Sequence, residues 1–174
     1  MLELCGAGGK LIVIHHYVES GRLLVQALSD AGLNPAWIRG GMSPEEVKAQ
    51  KLRFNEDKSC RVIVGQERAI ALGHTLTGAE GDRCSRIAFF ENSYSLYFRS
   101  QCEDRNHRGD QDEPCTVYDF VTSPIERAAI DSLIAKREMA SALDNVVKAV
   151  REERGPNAIA MDRHYGRGAN VGMG

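Results

Sequence analysis

The sequence predicts an α/β fold: a single three-layer domain in which a mostly parallel sheet is flanked by helices. Three observations predict it. Short apolar runs of strand length recur along the chain, and stretches with helical spacing lie between them. At 174 residues the chain fits one domain with a sizeable core and little room for a second.

Leu11-Ile12-Val13-Ile14 is continuously apolar, the pattern of a strand buried on both faces of a parallel sheet. Gly21 to Ala31 carries Leu23, Leu24, Ala27 and Leu28 at helical spacing, with Gly32 as a stop. Ala36-Trp37-Ile38 reads as a second strand. Ser43-Pro44-Glu45-Glu46 starts a helix, with proline at the first position and carboxylates in the first turn, and Val47, Leu52 and Phe54 continue it. Arg61 to Val64 is a third strand and leads into the segment Gly65 to Leu76. Arg86 to Phe90 is a fourth strand, with a helix opening after Ser93, and Thr116 to Val121 is a fifth. A long amphipathic helix is expected from about Pro124 to Glu153, with Ile130, Leu133, Ile134, Leu143, Val146, Val147 and Val150 as its apolar stripe. The expected organisation is a flexible lead-in over 1–9, the domain over 10–153 and a flexible, glycine-rich tail over 154–174.

Composition narrows the function classes. Net charge is −2, so the whole chain is no electrostatic adhesive for nucleic acid, and any contact with it must be a local patch. No apolar run approaches membrane-spanning length and no signal-peptide pattern opens the chain, which makes cytoplasmic residence the expectation. The five cysteines, Cys5, Cys60, Cys84, Cys102 and Cys115, have neither zinc-ligand spacing nor a redox pair, so reduced thiols and no metal site are expected. His15 and His16 are read as strand-end residues facing opposite ways.

Ligands in parallel sheets bind beyond the carboxyl ends of the strands. Two segments begin at that rim. One follows Val64. The other is the helix containing Gln101-Cys102-Glu103-Asp104-Arg105-Asn106-His107-Arg108, where Gln101, Arg105 and Arg108 fall at i, i+4 and i+7 on one face if the helix continues. Two guanidiniums and an amide projecting together suit phosphate oxygens. The plain alternative is a solvated charged helix in which Asp104 pairs with Arg108.

These residues resemble the C-terminal RecA-like half of superfamily-two helicases, specifically the Swi/Snf-related DNA translocases. The resemblance spans roughly Lys10 to Thr122 in the family's order. Lys10 to His15 resembles that half's opening motif, and Arg68 to Ala79 resembles Arg-Ala-Gly-Gly-x-Gly-x-Asn-Leu-Thr-x-Ala. Gln101 to Arg108 matches Gln-x-x-Asp-Arg-x-x-Arg at every fixed position, and Gly40 with Phe54-Asn55 resembles a glycine turn and a helix end. The resemblance implies that Arg105 and Arg108 are arginine fingers reaching a nucleotide held by a partner half. A finger of this kind is worth roughly a thousandfold or more in rate. Gln101, Gly73 and Asp104 are implied at the ATP site, and Arg68, Thr75 and Thr77 at nucleic acid.

The sequence departs from the family at several places. Ile70-Ala71 replaces two glycines, Thr75 replaces asparagine, and Gly109-Asp110-Gln111 replaces an apolar-Gly-Gln continuation. Glu67 stands where a small hydroxyl residue is usual, and its charge would repel phosphate. Together these suggest a divergent member, of the phage-encoded kind. Gly6-Ala7-Gly8-Gly9-Lys10 is no phosphate loop, because Leu4 stands where the loop's first glycine belongs and Leu11 where Ser or Thr belongs.

The resemblance therefore implies the C-terminal half of an ATP-dependent DNA helicase or translocase, inactive alone. ATP and Mg²⁺ would be bound mainly by an N-terminal RecA-like half, on the same or a separate polypeptide, and DNA would be the other partner. A second reading is a non-catalytic orphan RecA-like module that binds nucleic acid or a partner protein. A third, an unrelated α/β phosphate-binding enzyme, lacks any nucleophile or base that the sequence places.

Overall fold

Apolar runs became strands where the sequence places them, and helices pack against the sheet they form. The computed structural model describes residues 2–6, 9–71, 73, 75–79, 82–105 and 114–154. A five-stranded parallel sheet is formed by β1 (Leu11–His15), β2 (Ala36–Ile38), β3 (Val62–Gln66), β6 (Arg86–Phe89) and β7 (Thr116–Asp119). Its order is β2-β3-β1-β6-β7. A two-stranded antiparallel ribbon, β4 (Gly78–Ala79) with β5 (Asp82–Arg83), interrupts the crossover from β3 to β6. The helices are α1 (Leu2–Gly6), α2 (Val18–Asp30), α3 (Pro44–Glu56), α4 (Glu67–Ala71), α5 (Leu96–Glu103) and α6 (Pro124–Arg154).

The central strand β1 is buried at every residue and pairs with β3 on one side and β6 on the other. Side-chain alternation divides its apolar run between two cores. Leu11 and Val13 pack with Leu24 and Leu28 of α2, while Ile12 and Ile14 pack with Phe54 of α3, Ile70 of α4 and Cys102 of α5. Glycine sets two close approaches. A Cβ on Gly21 would collide with the His15 ring, and one on Gly65 with the Ile70 side chain. Lys10 is fully buried, and its ammonium donates to the Phe54, Asp57 and Cys60 carbonyls at 2.6, 2.8 and 3.0 Å, neutralising the carboxyl end of α3.

Several boundaries differ from expectation. Helix α2 begins at Val18 rather than Gly21, because Glu91 accepts from the His16 and Tyr17 amides and holds the turn that leads into it. The lead-in contains the helical turn α1, with Cys5 buried and the Leu4 carbonyl accepting from Arg86 Nη1 at 2.8 Å. Helix α5 stops at Glu103 instead of running on to Arg108, since the Arg105 amide turns back to the Cys102 carbonyl. The chain divides into two compact units, 1–133 and 134–174. Ala129, Ile130 and Leu133 of α6 are buried, whereas Ile134, Leu143, Val146, Val147 and Val150, the second part of the predicted stripe, are exposed. The tail beyond Arg154 lies outside the described residues.

Candidate functional site

The carboxyl ends of the strands form a rim with two cavities. The first, about 600 Å³, lies beyond β2 and β3 and is lined by Arg39, Lys48, Lys51 and Arg68 around Gly40, Gly41 and the apolar side chains of Ile38, Val47 and Ala69. Serine caps the helix that presents the lysines. Ser43 Oγ accepts from the Glu46 amide at 3.2 Å, and the Glu46 carboxylate accepts from the Ser43 amide at 2.7 Å, a reciprocal capping box. Lys48 and Lys51, three residues apart on α3, project to the same side. Gln66 closes the floor, its Oε1 accepting from the Gly40 amide at 2.8 Å. No carboxylate lines this cavity among the described residues. The sequence reading found Arg68 and the Gly40 turn but missed Arg39, Lys48 and Lys51; the i, i+3 lysine spacing on a capped helix was the available signal.

The second cavity, about 540 Å³, lies beyond β1 and β6 and is lined by His16, Glu67, Arg68, Glu91, Ser93 and Glu126, among others. Its carboxylates are already engaged. Glu91 Oε2 accepts from the His16 and Tyr17 backbone amides, each at 3.0 Å, and its Oε1 from Ser20 Oγ at 2.5 Å. That carboxylate therefore occupies the anion position that a β–α turn offers at a helix N-terminus. Glu67 is 3% exposed, bonded to His16 Nδ1 at 3.1 Å and to Ser93 Oγ at 2.7 Å. Its carboxylate is thus engaged within the chain at the wall of the cavity. Glu126 accepts from the Thr122 and Ser123 amides at the start of α6. These hydrogen bonds hold its carboxyl below the usual carboxylate range.

Gln101 and Arg105 are brought together. Arg105 Nε donates to the Gln101 carbonyl at 2.7 Å and its Nη2 to Gln101 Oε1 at 2.9 Å, with Arg105 itself 7% exposed. Asp104 is the exposed C-cap of α5, and Arg108 lies outside the described residues. Arg68 is exposed on α4 and lines both cavities, its guanidinium 5.5 Å from the centre of the Phe98 ring. Gly73 sits at φ +92°, so its requirement for glycine is conformational. Thr75 and Thr77 line neither cavity; their carbonyls accept from Asn55 Nδ2 and the Cys84 amide.

His15 and His16 have separate tasks. His15 is buried, which lowers its pKa, and it spans Tyr17 and Trp37: Nδ1 donates to the Tyr17 carbonyl and Nε2 accepts from the Trp37 indole. Burial pushes the Cys84 and Cys102 thiols up to about 12, so neither is a nucleophile near neutral pH. Among the described residues no three His, Cys, Asp or Glu side chains gather as metal ligands, and no helix is long and apolar enough to cross a membrane.

Comparisons with known proteins agree with this frame. No family model matches the chain. It is 27% identical over 145 residues to helicase SWR1 of Yarrowia lipolytica, covering 83% of this chain and 8% of that protein. It is 23% identical over 134 residues to the DNA repair and recombination protein RDH54 of Saccharomyces cerevisiae, covering 77% of this chain and 14% of that one. The chain thus spans only a small part of the curated relatives it matches. In fold it matches the C-terminal part of the Fun30 ATPase domain, with a TM-score of 0.64, 18% identity and coverage of 72% of this chain and 39% of that chain. The C-terminal domain of the DEAD-box protein Dbp5 matches with the same TM-score, 13% identity and coverage of 75% and 72%. The chain therefore resembles the Swi/Snf-related helicases in sequence and C-terminal RecA-like helicase domains in fold.

Proposed function

We propose that this chain is the C-terminal half of an ATP-dependent DNA helicase or translocase and that it completes an ATP site whose other half is an N-terminal RecA-like domain. The observation that carries the reading is the Gln101–Arg105 pair, fixed by two hydrogen bonds at the carboxyl-terminal end of α5 and followed in sequence by Arg108. Sequence similarity to helicases supports it.

The chain's own β1–α2 turn is a poor phosphate cradle, because Glu91 already receives its amides. A second anion there would meet a carboxylate. The groups suited to phosphate are instead the Arg105 guanidinium and that of Arg108, three residues on in the sequence, which would meet a nucleotide presented from outside. ATP and Mg²⁺ would be held mainly by the N-terminal half, where the metal bridges phosphate oxygens and offsets their charge. In this chain Gln101 orients Arg105, and the nearly enclosed Arg105 guanidinium meets phosphate only as the two halves close. Arg108 follows three residues later and adds a second positive charge. Preorganised cations of this kind stabilise the transferred phosphoryl group without reorganising during the reaction. DNA backbone would be followed by the Arg39, Lys48, Lys51 and Arg68 cavity, with Thr75 and Thr77 as further contacts on the same half.

ATP hydrolysis by this chain alone, by the cognate N-terminal half alone and by their mixture, each with and without DNA, tests the reading. Turnover stimulated by DNA in the mixture only is the expected outcome. Turnover by this chain alone would overturn it. Nucleic-acid binding with no effect on any ATPase half would favour the non-catalytic module instead.

A further inference from the structure

We infer that Arg99 is a positioning residue, the clamp that sets the last turn of α5 and with it the Gln101–Arg105 pair; the inference rests on the function proposed above. Arg99 is 7% exposed, and its guanidinium contacts α5, β7, the loop between β6 and α5, and β6 itself. Within α5, Nε donates to Glu103 Oε1 at 2.6 Å. Toward the end of β7, Nη1 and Nη2 donate to the two carboxylate oxygens of Asp119 at 2.5 and 3.1 Å, a bidentate pair. In the loop between β6 and α5, Nη1 also donates to Asn92 Oδ1 at 2.6 Å. Below the guanidinium lies the ring of Phe89, the last residue of β6, with the Cζ 3.6 Å from the ring centre.

Each contact constrains a different freedom. The bidentate pair fixes the rotation of the guanidinium plane, the stack on Phe89 fixes its height above the sheet, and Glu103 ties it to the last turn of α5. The Asn92 amide is oriented for this arrangement, since turning Oδ1 to Arg99 leaves its buried Nδ2 without a partner among the described residues. The guanidinium is buried while both carboxylates keep partial access to water, and removing the cation leaves Glu103 and Asp119 without the positive charge they share. The last turn of α5 then shifts, and Gln101 carries Arg105 with it through the two hydrogen bonds between them. Arg99 touches no nucleotide in this scheme; it acts through the geometry of the residues that do.

Two variants test the inference in the chain assembled with its cognate N-terminal half. Arg99→Lys keeps the charge and loses the fork. Arg99→Gln combined with Asp119→Asn removes the clamp without leaving the Asp119 carboxylate uncompensated. Both are expected to fold with a lowered thermal midpoint and to keep the parent KM for ATP while kcat falls about tenfold to a hundredfold, because the fault is one of placement. Amide hydrogen exchange should quicken at 101–105 and not across the sheet. Parent kcat and parent exchange in both variants would overturn the inference. Arg105→Ala in the same assembly separates the two questions. If Arg105→Ala keeps parent turnover, the arginine-finger reading falls, and localised exchange in the Arg99 variants still decides whether the clamp exists.

Discussion

The two rim cavities have similar volumes and opposite chemistry. Beyond β2 and β3, four cations surround an apolar floor and no lining carboxylate opposes them among the described residues. Beyond β1 and β6, three carboxylates line the wall, and each is bonded to the chain's own amides, hydroxyls or histidine. The first is a surface whose charge looks outward, suited to a polyanion. The second has spent its polar capacity on holding β1, β6, α2 and α6 in place. One parallel sheet thus offers two switch-edge hollows, and hydrogen-bond accounting, rather than size, separates the one with outward charge from the one whose carboxylates are engaged within the chain.

The largest expected effect comes from discharging the first cavity. Replacing Arg39, Lys48 and Lys51 together by Ala should weaken DNA binding at low salt by about tenfold or more and reduce the slope of log affinity against log salt by about one per removed cation. A fluorescence-anisotropy titration at several salt concentrations reads both. Equal binding by the triple variant would remove the distinction between the hollows.

Next in size is the inner cavity. Glu67→Gln keeps the shape but weakens the bonds to His16 and Ser93, and Glu67→Ala orphans both groups. Losses of about 1 and about 3 kcal/mol are expected in denaturant midpoints, within the usual cost of unsatisfied buried polar groups. A similar loss, about 1–3 kcal/mol, is expected for Gly65→Ala, where the new methyl is forced into Ile70 under the basic cavity. If Glu67→Ala left stability unchanged, that carboxylate would have no structural task.

The smallest effect is a pH dependence. Glu126 has a lowered carboxyl pKa from the Thr122 and Ser123 hydrogen bonds. Its contribution is therefore fully present above the unfolded Glu value, about 4.3, and is lost as pH falls through the lower folded value. Glu126→Gln should show less change in thermal midpoint across that acid range than the parent does. An equal acid response in both would mean that the cap is not carried by charge.

Much of the frame was legible. Continuous apolar runs at 11–14 and 61–64 mark strands buried on both faces, and Ser43-Pro44-Glu45-Glu46 marks a helix start by local chemistry alone. The similarity to helicases was also readable, because its motifs are local and ordered. What remained hidden depends on residues distant in sequence. The early end of α5 is a local exception: the Arg105 amide turns back to the Cys102 carbonyl, which periodicity does not anticipate. Glu91 and Glu67 look like surface carboxylates until the fold brings His16, Tyr17, Ser20 and Ser93 to them. Arg99 gave no signal at all, since Asp119 lies twenty residues on and Phe89 ten back. Amphipathic spacing in α6 proved a weaker guide, because a stripe shows only that a face can be covered.

The central claim is that the arginines after α5 complete an ATP site held by another domain. Its most direct test is DNA-stimulated ATP turnover by the assembled protein with Arg108→Ala. A loss of kcat of about a thousandfold, with DNA binding retained, is the predicted result. Parent turnover in that variant would contradict it.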